Sequence, residues 1–134
     1  MLSVLTATIP GREDYLEECV ASVEAQTFRD FEHLVLLDED GDGCAATFNR
    51  LADAAAGDWL FILGDDDLIL PGCLGQHVEF CGNADIVYAP PLVWQAPHAG
   101  FWGAPPEIPA VALIWKDLWH QLGGYEQSWH REED

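Results

Sequence analysis

Short β-prone runs alternate with segments of helical periodicity along most of this chain, and that alternation restricts its architecture more than any other feature. The run "LSVLTATI" stops at Pro10-Gly11, and "REDYLEECVASVEAQTF" follows with Leu16, Val20 and Val23 at helical spacing. Glu13 and Asp14 fall near the start of that helix, where the backbone dipole favours acids. "EHLVLLD" predicts a buried strand that ends in an acidic, glycine-rich turn, and the helix "AATFNRLADAAAG" leads through Gly57 into a third strand, "DWLFILG". Pro71 suits the start of a helix over "PGCLGQHVEFCG", with Gly75 weakening it, and "ADIVYAP" predicts a fourth strand. The Pro/Gly/aromatic segment "PLVWQAPHAGFWGAPPEIP" predicts irregular chain, followed by a strand, "AVALIW", and a helix, "KDLWHQLGG". The pattern is that of a wound α/β sheet with flanking helices, and 134 residues suffice for one small domain with a substantial core.

The third strand runs directly into Asp65, Asp66 and Asp67, in the context "LFILGDDDLILPG". Three like charges beside an apolar core repel one another, so a positive group is expected among them. Open α/β sheets bind ligands at the carboxyl ends of their strands, which is where this cluster stands. Hard ions such as Mg²⁺ or Mn²⁺ take carboxylates and leave positions for water or a diphosphate. A second acidic loop, "DEDGDG" at residues 38 to 43, has the spacing of the first half of a calcium-binding loop, with Asp38, Asp40 and Asp42 as ligands and Gly43 at the turn. Its twelfth position is Asn49, where a bidentate Glu is needed, and a strand leads into it, so a solvated acidic turn is expected.

Five Lys and Arg stand against 24 Asp and Glu, a formal charge of −19 that argues against general nucleic-acid binding through phosphate neutralisation. Cys19, Cys44, Cys73 and Cys81 lack CxxC spacing and are expected as reduced thiols in a cytoplasmic protein. "MLSVLTATIP" is too short to span a bilayer, and no transmembrane segment is expected. Trp94, Trp102, Trp115, Trp119 and Trp129 are expected mainly in core packing, and His130 at the surface.

Taken in order, these pieces are a strand into Pro-Gly-Arg, "SVEAQTF", a strand ending in Asp, Asn-Arg on a helix, "GDWLFILGDDDLILPGCL" and "LGGYEQSWHREED". So ordered, the chain resembles the inverting nucleotide-sugar glycosyltransferases of the GT-A fold, the family 2-like group, over nearly its whole length. The resemblance implies a Rossmann-like, mixed, mainly parallel sheet, with residues 1–134 as a nucleotide-sugar-binding domain that lacks a C-terminal acceptor segment. It places Asp66 on the principal metal position of the DxD motif, Asp65 nearer the ribose or sugar and Asp67 as a shaping residue, with Gly64 where the first acid usually stands. Thr8, Ile9, Pro10 and Arg12 fall where the family wraps the nucleoside, and Asp38 falls on an acid that reads the base. A carboxylate accepts a hydrogen bond from a uracil imide N–H, which suits a UDP- or dTDP-linked donor. Asn49 and Arg50 match the family's helix, while Phe48 stands where an arginine is common. Glu133 and Asp134 fall on the Glu-Asp motif that supplies the base for attack by an acceptor hydroxyl, on a glycan, lipid or protein. The implied cofactor is Mn²⁺ or Mg²⁺. The competing readings are a metal-dependent nucleotidyltransferase and a non-catalytic nucleotide-sugar-binding or calcium-binding module.

Overall fold

The computed structural model describes residues 1–89, 92–95, 100–103 and 111–125. Its sheet begins with β1 (Leu2–Thr8), helix α1 (Glu13–Glu24), β2 (Phe31–Leu37), helix α2 (Cys44–Ala54) and β3 (Trp59–Ile62). A short helix α3 (Cys73–Val78) and a single 3-10 turn (Cys81–Asn83) precede β4 (Ile86–Ala89). The strands β5 (Leu92–Gln95) and β6 (Gly100–Gly103) come next, then β7 (Val111–Trp115) and helix α4 (Lys116–Gln121). The main sheet has the order β2-β1-β3-β7-β4. Strands β1, β2 and β3 are parallel, and β7 runs antiparallel between β3 and β4. This is the mixed, mainly parallel sheet that the alternation predicts.

Alternation along each strand divides the core between the two faces of the sheet. Leu2 and Val4 of β1, Phe61 of β3 and Leu113 of β7 pack on one face with Cys19 and Val23 of α1 and Leu74 of α3. Leu5 and Leu60 point the other way, against Phe48, Leu51 and Ala52 of α2 and Trp119 of α4. Full burial of each large apolar side chain contributes about 1.5–3 kcal/mol. Along β1 the apolar positions are interrupted by Ser3, Thr6 and Thr8. The hydroxyl of Ser3 donates to Glu32 at 2.6 Å, and Thr6 pairs with the His33 ring at 2.8 Å.

Two expectations differ from the structure. The β2 run "FEHLVLL" was expected to be buried, yet among the described residues it pairs only with β1 and leaves Val35 and Leu37 exposed. An edge strand is covered on one side only, and apolar composition alone does not distinguish it from a central one. The segment after β4 was expected to be irregular, but it contains the antiparallel pair β5 and β6, with Leu92 opposite Gly103 and Gln95 opposite Gly100. Among the tryptophans expected in the core, Trp119 is buried whereas Trp115 lies at the surface. Trp129 and His130 lie outside the described residues. All four cysteines are free thiols, and burial pushes that of Cys19 up to about 11.

Candidate donor-binding site

The register of the parallel strands brings three distant polar residues into one row. Leu5 lies opposite Ile62, so Thr8 and Asp65, each three residues farther along, also meet. The Thr8 hydroxyl donates to Asp65 Oδ2 at 2.8 Å. On the other side of β1, Thr8 lies opposite Leu37, and the N–H of Asp38 donates to the Thr8 carbonyl at 2.8 Å. Thr8, Asp38 and Asp65 thus cross the carboxyl ends of β2, β1 and β3, and all three are buried.

The positive group expected among the aspartates is Arg12. From the turn after β1 its Nε donates to Asp65 Oδ2 at 2.8 Å and its terminal amine to Asp65 Oδ1 at 3.0 Å. The same amine lies 3.1 Å from Asp66 Oδ2, and the guanidinium stacks over the Tyr15 ring at 4.9 Å. Bidentate pairing of this kind is among the stronger polar contacts available to a carboxylate. Burial by itself raises the pKa of Asp65, but the hydrogen bonds from Arg12 and Thr8 outweigh it and hold the carboxyl below its ordinary value. The neighbouring Asp67 moves the other way, raised by desolvation of its carboxyl and then by the charge on Asp66. Ile9 and Pro10 are exposed beside this row.

The acidic loop after β2 folds around Asp38. Its Oδ1 accepts from the N–H of Asp42 and its Oδ2 from the N–H of Gly43, each at 2.9 Å, and these bonds hold its pKa down. Asp42 in turn pairs with Arg50 at 2.8 Å. Among the described residues no three His, Cys, Asp or Glu side chains converge as a metal cage. In this loop Asp38 is thus tied to the loop backbone and Asp42 to Arg50 of α2.

Asn49 does not face this row with a free amide. Its side chain exchanges two hydrogen bonds with the backbone of Tyr125, each at 2.9 Å. Tyr15, which lies under the Arg12 guanidinium, was not expected at the site. Cys44, exposed at the first position of α2, feels the charges of Asp65 and Asp38, which add to desolvation in raising its thiol. Glu133 and Asp134, the expected source of a base, lie outside the described residues.

Comparison with known proteins gives this row a context. A glycosyltransferase of Methanocaldococcus jannaschii, MJ1057, described as uncharacterized, is 26% identical over an alignment covering 62% of this chain and 38% of the relative. S. aureus TarS 1-349 in complex with UDP superimposes with a TM-score of 0.78 at 16% identity, over 96% of this chain and 51% of that one. The mannosyltransferase PcManGT of Pyrobaculum calidifontis, in complex with GDP-Man and Mn²⁺, gives a TM-score of 0.71 at 15% identity, over 94% and 47% of the two chains. The chain spans about half or less of the length of these proteins, and the structural likeness establishes the GT-A fold. The profile of "Glycosyl transferase family 2" matches residues 34–125, from β2 through α4 to Tyr125, and on that match the chain belongs to glycosyl transferase family 2.

Proposed function

We propose that this chain binds a nucleotide-sugar donor, UDP- or dTDP-linked, across the ends of β1, β2 and β3 and transfers its sugar with inversion to an acceptor hydroxyl. The observation that carries the reading is the row Thr8, Asp38 and Asp65 with Arg12 clamped over it, at the edge where a wound sheet takes ligands. A carboxylate has about four acceptor sites. Asp38 spends two on its own loop, leaving capacity for one imide N–H of a pyrimidine. Arg12 lies over Asp65 and Asp66, and a diphosphate entering there competes with Asp66 for it. Complexes of the structural neighbours with UDP and with GDP-Man and Mn²⁺ support a nucleotide-sugar donor and a divalent ion.

The donor chemistry of the cluster fits Mn²⁺ or Mg²⁺ on carboxylate oxygens supplemented by phosphate and water, and does not fit an all-protein cage. Asp66, exposed, and Asp67 beside it would hold the ion, which when bound stabilises charge on the departing diphosphate. Asp65 keeps Arg12 oriented, Thr8 fixes the Asp65 carboxylate, and Asp134 or Glu133 takes the proton of the attacking hydroxyl. The two acidic regions then serve the two ends of one displacement. A nucleotidyltransferase calls for a glycine-rich, basic phosphate loop, and the turn after β1 offers Arg12 as its one base.

The test is calorimetric titration of UDP, dTDP, GDP and Ca²⁺ with and without Mn²⁺, on the native chain and on Asp66→Ala. The expected result is Mn²⁺-dependent binding of UDP or dTDP that Asp66→Ala abolishes. Tighter binding of GDP would overturn the pyrimidine assignment, and unchanged Mn²⁺-dependent affinity in the variant would remove Asp66 from the metal site. Calcium binding without nucleotide binding would favour the module.

A further inference from the structure

Asn49 sits at the middle of α2, and both faces of its amide are used by one residue far along the chain. Its Nδ2 donates to the Tyr125 carbonyl and its Oδ1 accepts from the Tyr125 N–H, each at 2.9 Å. A side-chain amide that pairs with both backbone groups of one residue acts as a splint, because it fixes the orientation of the peptide as well as its distance. The adjoining turn fits this splint tightly. Gly124 has φ +70°, and a Cβ placed there would lie 2.5 Å from Asn49 Oδ1. Phe48, the preceding residue of α2, meets the Tyr125 ring edge-on at 6.0 Å, and Trp119 of α4 meets it at 4.8 Å. One turn of α2 thus grips the backbone and the ring of Tyr125 together.

The same helix is tied at its beginning to the donor row. Gly43, immediately before α2, donates its N–H to Asp38, and its carbonyl accepts from the Thr47 N–H and hydroxyl. A short rigid path therefore runs from the Asp38 carboxylate through α2 to Tyr125. The chain that leaves Tyr125 carries Glu133 and Asp134.

We infer that Asn49 is a positioning residue which holds the start of the Glu133-Asp134 segment against α2, and that it does not contact the nucleotide. The role rests on the donor-transfer reading above and deepens it. Removing the splint frees Tyr125 from α2 and slows transfer, while the row that binds donor stays in place.

The test compares the native chain with Asn49→Ala and Asn49→Gln. Three quantities are measured: amide exchange at Tyr125 and at Gly43, UDP affinity with Mn²⁺, and hydrolysis at saturation of the fastest-hydrolysed member of a panel of UDP- and dTDP-sugars. In Asn49→Ala, Tyr125 exchange should rise at least tenfold with Gly43 unchanged, UDP affinity should stay within about twofold, and saturated hydrolysis should fall about tenfold or more. Asn49→Gln, which keeps the amide, should recover part of both losses. A tenfold loss of UDP affinity with unchanged saturated hydrolysis would overturn the inference and return Asn49 to the nucleotide. Unchanged Tyr125 exchange, or unchanged hydrolysis despite faster exchange, would also overturn it. If the native chain binds no UDP or hydrolyses no donor, the donor-transfer reading fails and this role with it, even where exchange shows the splint intact.

Discussion

At Asp65, burial and hydrogen bonding pull the carboxyl in opposite directions, and their balance sets how the protein responds to acid. The bonds from Arg12 and Thr8 win, so the folded-state pKa lies below the ordinary value of about 4. A depressed acid contributes stability that is complete above its unfolded pKa and is lost as pH falls through its folded one. Asp65→Asn should therefore lower stability at pH 7 by roughly 1–3 kcal/mol, the range for hydrogen bonds to a charged group. The gap between the two proteins should close below about pH 4. Urea unfolding at neutral and acid pH checks this, and a pH-independent gap would refute it. Asp67 carries the opposite sign, raised by desolvation and by the Asp66 charge, so Asp67→Asn should raise stability at neutral pH and lose that advantage on acidification. The triplet and its need for a positive neighbour were legible in the sequence. That the neighbour is Arg12, 53 residues from Asp65, was not, because only the pairing of β1 with β3 makes them adjacent.

At the scale of elements, strand and helix identity followed from periodicity, and the misreadings share a cause in tertiary context. The β2 run has the apolar composition of a central strand, and its edge position depends on what lies beside it. The strands β5 and β6 contain valine, tryptophan and phenylalanine, all good strand formers, but the flanking prolines and glycines concealed them. The pairing of Asn49 with the backbone of Tyr125 is likewise visible only once the chain has closed. Gly57, expected merely as a link into β3, is a close approach between elements. A Cβ there would lie 2.6 Å from Ser3 Oγ, 2.7 Å from the Met1 carbonyl and 2.8 Å from the Ser3 nitrogen, two of them backbone atoms of or next to β1. Gly57→Ala should cost about 1–3 kcal/mol, the usual range for overpacking a filled site. Its signature is a lower urea midpoint with an unchanged slope, and a midpoint equal to that of the native chain would show that the junction can open at no cost.

For the whole molecule, the charge of −19 matters more than any single ion pair. Arg12 is held by Asp65 and Asp66, Arg50 by Asp42, Arg29 by the carbonyls of Glu24 and Gln26, and Lys116 by the carbonyl of Ala55. The remaining base, Arg131, lies outside the described residues. The described cations are thus spent locally, and self-repulsion among the surface acids destabilises the compact state. Raising NaCl from low concentration to 0.5 M should lift the melting temperature by about 3–6 °C, the shift that about 1 kcal/mol gives in a domain of this size. A flat or falling melting temperature would show that the surface acids are already compensated. The sequence made this charge plain, and the structure adds where the few opposing charges went. The position of β7 also bears on how the chain comes into being. During synthesis β1, β2, α2 and β3 emerge early and can bring Thr8, Asp38 and Asp65 together, but β4 is made before β7, the strand that must separate it from β3. Until Val111–Trp115 leave the ribosome, the apolar strand β3 has an open edge where β7 belongs, and a neighbouring nascent chain can pair with it. Translation products that end between Ala89 and Val111 should accordingly collect in the insoluble fraction, whereas those that include β7 should not.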